Sequence, residues 1–267
     1  MKRFIICIAL LCFAETLVHS QTKIERSESS LKQSSERSHS DSDDDYDSDD
    51  WFFGIFGEAF LYLTYYTLFE FPGEEEHPMS GAFITKYPYY SSKKGNYNYE
   101  LDDNFRVFRA ELVSRYVSES NDIKGLDLNL DLRFEKRVGL ELGYRQLWEK
   151  NPEFGNDQLA LYNILLNYHR IRSEQLDLWW GVGTTYIAGN VSQFGFTYAI
   201  GAELFFAKPI SMEMNFNQTF INSETVNKFN ALLNYHINRY KLTGGYDQLK
   251  IGSQKFTSLT IGVGLVF

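Results

Sequence analysis

Phe256-Thr257-Ser258-Leu259-Thr260-Ile261-Gly262-Val263-Gly264-Leu265-Val266-Phe267 closes the chain. Counting back from Phe267, apolar Leu265, Val263, Ile261 and Leu259 fall at every second position. Ser258, Thr260, Gly262 and Gly264 fill most of the gaps. Strand side chains alternate between two faces, so the stretch presents one apolar face and one small or polar face.

The same alternation runs backward to Phe105. Leu126, Leu128, Leu130, Leu132 and Phe134 alternate with Gly125, Asp127, Asn129, Asp131 and Arg133. Phe194, Phe196, Tyr198, Ile200, Ala202, Leu204 and Phe206 oppose Gly195, Thr197, Gly201 and Glu203. Met212, Met214, Phe216 and Phe220 oppose Ser211, Glu213, Asn215, Asn217 and Thr219. A soluble sandwich also alternates, but its apolar face is shorter and less aromatic. Here aromatic residues make up 16% of the chain, which suits girdles at a membrane interface. The pattern predicts an all-β fold, an antiparallel up-and-down transmembrane barrel with apolar side chains toward lipid and polar ones toward the lumen.

Ten strands are expected, over 105–117, 123–134, 137–148, 157–171, 175–188, 193–207, 209–221, 225–237, 239–247 and 255–267. An even number returns both ends to one side, the periplasm. Longer connections, such as Ser118–Asp122 and Gln248–Gln254, would face outward, and tight ones such as Lys208-Pro209 inward. Two further strands from 59–90 would give twelve and keep that parity.

A chain that stops on an aromatic in this register resembles the small bacterial outer-membrane β-barrel class. The resemblance covers about 105–267. It implies lipid contact in the outer membrane and an assembly signal, formed by Leu259, Ile261, Val263, Leu265 and Phe267, that the barrel-insertion machinery reads.

The other end differs in character. Lys2-Arg3, the apolar run Phe4–Ala14 and the small residue Ser20 read as a signal peptide over 1–20. Cys7 and Cys12 lie inside it and fit no lipobox, so the exported chain would hold no disulfide and no thiolate metal site. Residues 21–50 carry ten acids against four bases and little to bury, which predicts a disordered acidic tether. Its run Asp41–Asp50 lacks the turn Gly and distal Glu of a calcium loop. Residues 51–104 form an aromatic-rich interfacial segment and connector. Within them 51–72 reads as an interfacial helix or, alternatively, a strand pairing with Ala82–Tyr90. The rest of the chain is close to neutral, so nucleic-acid binding has no electrostatic support.

Tyr162–His169 recurs as Phe229–His236 with six of eight residues identical, and Ile200–Phe206 recurs as Ile261–Phe267. Repetition at matching strand positions suggests a duplicated unit.

The inward face is rich in charge. Arg109, Glu111, Arg115, Asp127, Asp131, Arg133, Glu141, Arg145, Glu203 and Glu213 are expected to meet in the lumen. Arg109, Asp131, Arg133, Glu141, Arg145, Glu203 and Glu213 are the main candidates for a network there. Eight strands leave room only for side chains, whereas sixteen or more enclose a water channel, so ten strands should be largely filled by ion pairs. His169 and His236 share the polar face without a carboxylate near in sequence. No His falls among the outer connections, so no nucleophile, base and acid assemble there and enzymatic activity is not expected. No cofactor or metal is implied. The function expected is a structural or accessory barrel, one subunit or partner of a larger outer-membrane complex, with a protein partner bound through 21–72. The alternatives are a narrow pore and, less in keeping with the residues, a lipid- or peptide-modifying enzyme at the rim.

Overall fold

The computed structural model describes residues 22–33, 58, 62, 81–90, 94–99, 108–120, 122–134, 137–151, 155–222 and 224–267. A helix, α1 (Lys23–Gln33), and two short strands, β1 (Phe83–Ile84) and β2 (Tyr97–Asn98), precede ten long strands. These are β3 (Phe108–Ser118), β4 (Ile123–Phe134), β5 (Val138–Asn151), β6 (Gly155–Arg172), β7 (Leu176–Ala188), β8 (Ser192–Ala207), β9 (Ile210–Ile221), β10 (Glu224–Ile237), β11 (Tyr240–Ile251) and β12 (Gln254–Val266). Each pairs antiparallel with its neighbours in sequence, and β12 pairs back onto β3 from Leu259↔Ser118 to Val266↔Glu111. The sheet therefore closes with no free edge, the one strand architecture that leaves no backbone group unpaired in lipid.

Closure occurs at ten strands, so the twelve-strand alternative does not hold. Phe83 and Ile84 pair with Asn98 and Tyr97 in a separate two-stranded sheet, not with residues from 51–72. The interfacial-helix reading of 51–72 lies outside the described residues except at Glu58 and Tyr62, which are both helical. The signal peptide and the 34–50 part of the tether also lie outside them.

Outward faces carry the side chains the alternation assigned to lipid. Leu259 is 72% exposed and Ile261 69%, and Phe194, Phe196, Leu166, Leu233 and Tyr240 join them in a continuous apolar surface. A surface of that size exposed to water would be an association or aggregation hazard; facing hydrocarbon it is stable. The protein is a membrane-spanning β-barrel of the outer-membrane type. Inward positions along the strands are buried, as with Arg115, Asp127, Arg145 and Asp247, or half-buried, as with Glu111, Asp131 and Glu213.

Two findings depart from expectation. Connections at the mouth away from Phe267 are two to four residues long, and those at the other mouth two or three, so loop length does not distinguish the ends. Residues 23–33, read as part of a solvated tether, are instead helical and docked on the barrel. The physical reason is a ring of inward apolar residues at the mouth away from Phe267. Ile123, Leu147, Leu159, Leu161, Ile187, Ile221, Val226, Leu249, Ile251 and Phe256 form one buried cluster there with Ile24 and Leu31 of α1. A polar lumen thus ends in an apolar socket, and the helix fills it.

Candidate functional site

The lumen is organised in layers. Nearest α1 lies a belt of five ionised side chains. Asp127 on β4 accepts from Arg115 Nη2 at 2.8 Å, from Arg145 Nε at 2.8 Å and from Lys228 Nζ at 2.9 Å. The same Arg145 donates to both carboxylate oxygens of Asp247, at 2.7 and 2.6 Å. Arg145 stands on β5 and Asp247 on β11, so the guanidinium bridges strands that never pair in the sheet. All but Lys228 are almost wholly buried. Bidentate geometry of this kind suits arginine's planar fork.

Toward the Phe267 end two ladders of acids follow. Register places Glu111 opposite Asp131 and Asp131 opposite Glu141 on β3, β4 and β5. It places Asp177 opposite Glu203 and Glu203 opposite Glu213 on β7, β8 and β9. Like charges directly opposed across a ladder repel, and neighbouring groups answer them. Lys241 pairs with Glu111 and lies 3.6 Å from Glu213. Arg133 donates to Asp177 at 3.0 Å, and His169 Nδ1 meets the other Asp177 oxygen at 2.8 Å. Ser211 donates to Glu203 at 2.6 Å and contacts His236 Nε2 at 2.8 Å. A cavity of about 50 Å³ opens between them, lined by Asp131, Asp177, Glu203, Glu213, Lys241 and His169 among others. It is large enough for a few waters and little more.

The two ladders are copies of one arrangement. The repeated segments of β6 and β10 place Leu165 and Leu232 inward, both fully buried. Leu165 is opposite Glu141 and Gly183; Leu232 is opposite Glu213 and Gly245. Asn167 donates to Glu141 at 3.2 Å, and Asn234 donates to Glu213 at 3.1 Å. A Cβ at Gly183 would stand 1.9 Å from the Ile164 carbonyl oxygen, and one at Gly245 2.1 Å from that of Ala231. The sequence repeat on one strand is therefore the visible part of a three-strand unit, β5-β6-β7, reproduced as β9-β10-β11.

Each mouth is occupied by the chain itself. At the Phe267 mouth, residues 81–90 and 94–99 lie inside the rim. Tyr97 bonds Arg133, Asn96 accepts from Arg109 Nη1 at 3.1 Å, and Tyr99 donates to the Arg172 carbonyl at 3.1 Å. Tyr89 packs edge-on against Phe205 at 5.5 Å and His236 at 5.6 Å. At the opposite mouth α1 lies across the opening and touches the β3–β4, β7–β8, β9–β10 and β11–β12 turns and the facing ends of β5 and β6. Lys23 pairs with Glu119 at 2.5 Å; Glu149 accepts from the Lys23 and Ile24 amides at 2.9 and 2.8 Å; Thr22 bonds Asp157. Glu28 accepts from Asn190 at 2.7 and 2.8 Å, Asn222 donates to the Leu31 carbonyl at 3.2 Å, and Ser30 lies against Gly252.

All seven expected network residues face the lumen. Arg145 belongs to the belt. Arg109, Asp131, Arg133, Glu203 and Glu213 border the cavity, and Glu141 bonds Asn167 in the ladder beside it. Leu259, Ile261, Val263 and Leu265 lie on the outward face of β12, and Phe267, just after it, is exposed. Sequence reasoning missed Asp177, Lys228, Lys241 and Asp247. All four sit in the alternating pattern, two residues from other inward positions, and parity would have found them. It also left the histidines without an acid; Asp177, eight residues from His169 across the β6–β7 turn, supplies one. Among the described residues no group of three or more His, Asp or Glu side chains is disposed to hold a metal ion.

No family model and no curated protein matches the chain. Solved structures similar to it are barrels. Ail of Yersinia pestis, an outer membrane protein, is 14% identical, with 60% of this chain aligned to 99% of that one at a TM-score of 0.34. The outer membrane protein OprG of Pseudomonas aeruginosa is 14% identical, with 60% aligned to 95% at 0.33. An outer membrane channel of Pseudomonas putida is 11% identical, with 63% aligned to 100% at 0.33. Likeness at this level does not transmit ligand, partner or role.

Proposed function

We propose that this protein is an outer-membrane barrel with a structural or accessory role, closed to solutes. One observation carries the reading: α1 occupies one mouth, residues 81–90 and 94–99 the other, and the Arg145 belt crosses the lumen between them. A constitutive channel needs a continuous polar path, and here three successive layers interrupt it. Recording from the purified protein in planar bilayers should show no discrete conductance steps; regular steps from the intact protein would overturn the reading.

In this reading both termini of the barrel face the periplasm, with the Leu259–Phe267 face serving as the assembly signal for the insertion machinery. The α1 mouth then faces outward. A partner contact within 21–72 narrows to the part beyond α1, since the helix is engaged with the barrel. Replacing 34–72 by a glycine/serine linker of equal length should leave a heat-modifiable barrel on gels and remove any co-purifying protein; an unchanged set of partners would count against the accessory role.

The second reading is a narrow pore, favoured by the cavity and by acid ladders that outnumber their cations. If it conducts, Glu203→Ala and Glu141→Ala alter its ion selectivity.

A further inference from the structure

We propose that α1 is a reversible lid: the helix leaves its socket and returns to it as one unit, and it is helical only while docked. This deepens the closed-barrel reading by assigning one of the two closures a moving part.

The helix is a poor one by itself. It has eleven residues, below the length at which isolated helices persist in water. Ser27, Ser29 and Ser30 each turn their hydroxyl back onto a carbonyl three residues earlier, at 2.7, 2.9 and 2.7 Å. Such back-bonding offers the backbone an alternative to the helix and does not strengthen it. What completes the helix comes from the barrel. Glu149 on β5 caps the first amides, with its carboxylate at the positive end of the helix dipole. Asn222, in the β9–β10 turn, caps the last turn through the Leu31 carbonyl. Only Thr22, which accepts from the Glu25 amide at 3.1 Å, is a cap of the segment's own. Helix formation and docking are therefore one event.

The docking rests on few apolar groups. Two apolar side chains, Ile24 and Leu31, enter the socket, Lys23 lies over the Phe256 ring, and the other buried side chains, Thr22, Ser27 and Glu28, are polar. Their arrangement is nonetheless a fitted one. Gly189 and Gly252, in two different turns, stand where any side chain would strike the helix. A Cβ at Gly189 would lie 1.9 Å from Glu28 Oε1, and one at Gly252 2.2 Å from Ser30 Oγ. Seventy-odd residues separate α1 from β3, and of these 81–90 and 94–99 lie at the opposite mouth. The chain gives the helix no short connection to β3, so among the described residues these contacts are what hold it. Residues 94–99 differ on that point, since only eight residues separate them from β3.

Hydrogen exchange read by mass spectrometry on the full-length protein in detergent or nanodiscs tests this. Amides of α1 should exchange at least a hundredfold faster than those of β5 and β11, and together. Gly189→Ala changes only a turn residue, displaces the Glu28 carboxylate from both Asn190 donors, and should speed α1 exchange roughly tenfold with strand exchange unaltered. Exchange of α1 as slow as the strands, or no response to Gly189→Ala in a barrel that still shows its heat-dependent gel shift, would overturn the proposal. The readout is independent of conductance: the lid can fail in a silent barrel, and a conducting barrel can still have a lid.

Discussion

The two mouths of this barrel are both occupied by the chain, through opposite chemistry. At the Phe267 mouth the plug is 81–90 with 94–99, close before β3 in sequence, and it is held by hydrogen bonds to inward charges: Tyr97 to Arg133 and Asn96 to Arg109. At the other mouth the plug comes from far away in sequence and is held by an apolar ring around Ile24 and Leu31. A segment eight residues from a strand loses less freedom when it docks than one some seventy residues away, so polar contacts suffice. A remote helix must offset the ordering of its whole length, and hydrophobic burial of about 1.5–3 kcal/mol for each anchor is the larger single contribution available to it. Plug and socket are matched in each case to how the plug is connected.

The largest effect is expected between the mouths, where it tests whether either closure depends on the belt. Arg145→Ala leaves Asp127 and Asp247 facing one another in a buried lumen, and removing one partner of such a set costs about 3–5 kcal/mol. The heat-modifiable gel shift should move to markedly lower temperature, while Arg145→Lys recovers part of the loss. A barrel as stable as the parent would show that the lumen is wetter than its packing implies.

The comparison itself is sharpened by two apolar truncations. Phe205→Ala, beneath Tyr89, should lower the stability of the whole barrel by about 3 kcal/mol, because Phe205 is both a lumen wall and the floor of a locally connected plug. Ile24→Ala removes a residue just as buried but should leave the melting of the barrel nearly unchanged, since the helix can undock and its loss is confined to local protection. Equal effects in thermal melts would erase the distinction between the mouths.

The smallest effect is a pH dependence confined to the Phe267 mouth. Burial, with the charge of Glu203 added, pushes the Tyr89 hydroxyl up to about 12. An unfolded tyrosine titrates near 10, so the folded state favours the neutral form. The resulting stabilisation is intact below about pH 10 and disappears as pH rises through the folded value. Subtracting the 295 nm titration of Tyr89→Phe from that of the parent should reveal one late-ionising phenol. An ionisation near the ordinary value would mean that 81–90 does not stay packed against Phe205.

Much of the barrel was legible because its cause is local. Period-two alternation located all ten strands to within a few residues at each end and assigned the lipid face of each. The inward charges were legible for the same reason. What parity could not give was partnership. Arg145 and Asp247 lie on strands that do not pair, and a sequence has no signal for contacts across a lumen. The apolar socket was visible as letters, in Leu147, Ile187, Ile221 and Ile251, yet it breaks the polar-inside rule. A residue such as Leu147 beside Trp148 reads as a strand end, not as half of an interface. The composition of 21–50 pointed to disorder for a sound reason, since Ser-rich acidic chains bury little. Residues 23–33 escape that rule through two anchors and borrowed caps.

By itself, then, the sequence determined a membrane barrel: side-chain period and apolar content depend only on near neighbours along the chain, and they dictate strands, faces and solvent. Only the tertiary structure decided that the barrel is closed by its own chain at both ends. The four turns and the ends of β5 and β6 that hold α1, and the β5-to-β11 bridge beneath it, come together only when β12 meets β3. Until that closure neither the socket nor the belt exists in any segment of the chain.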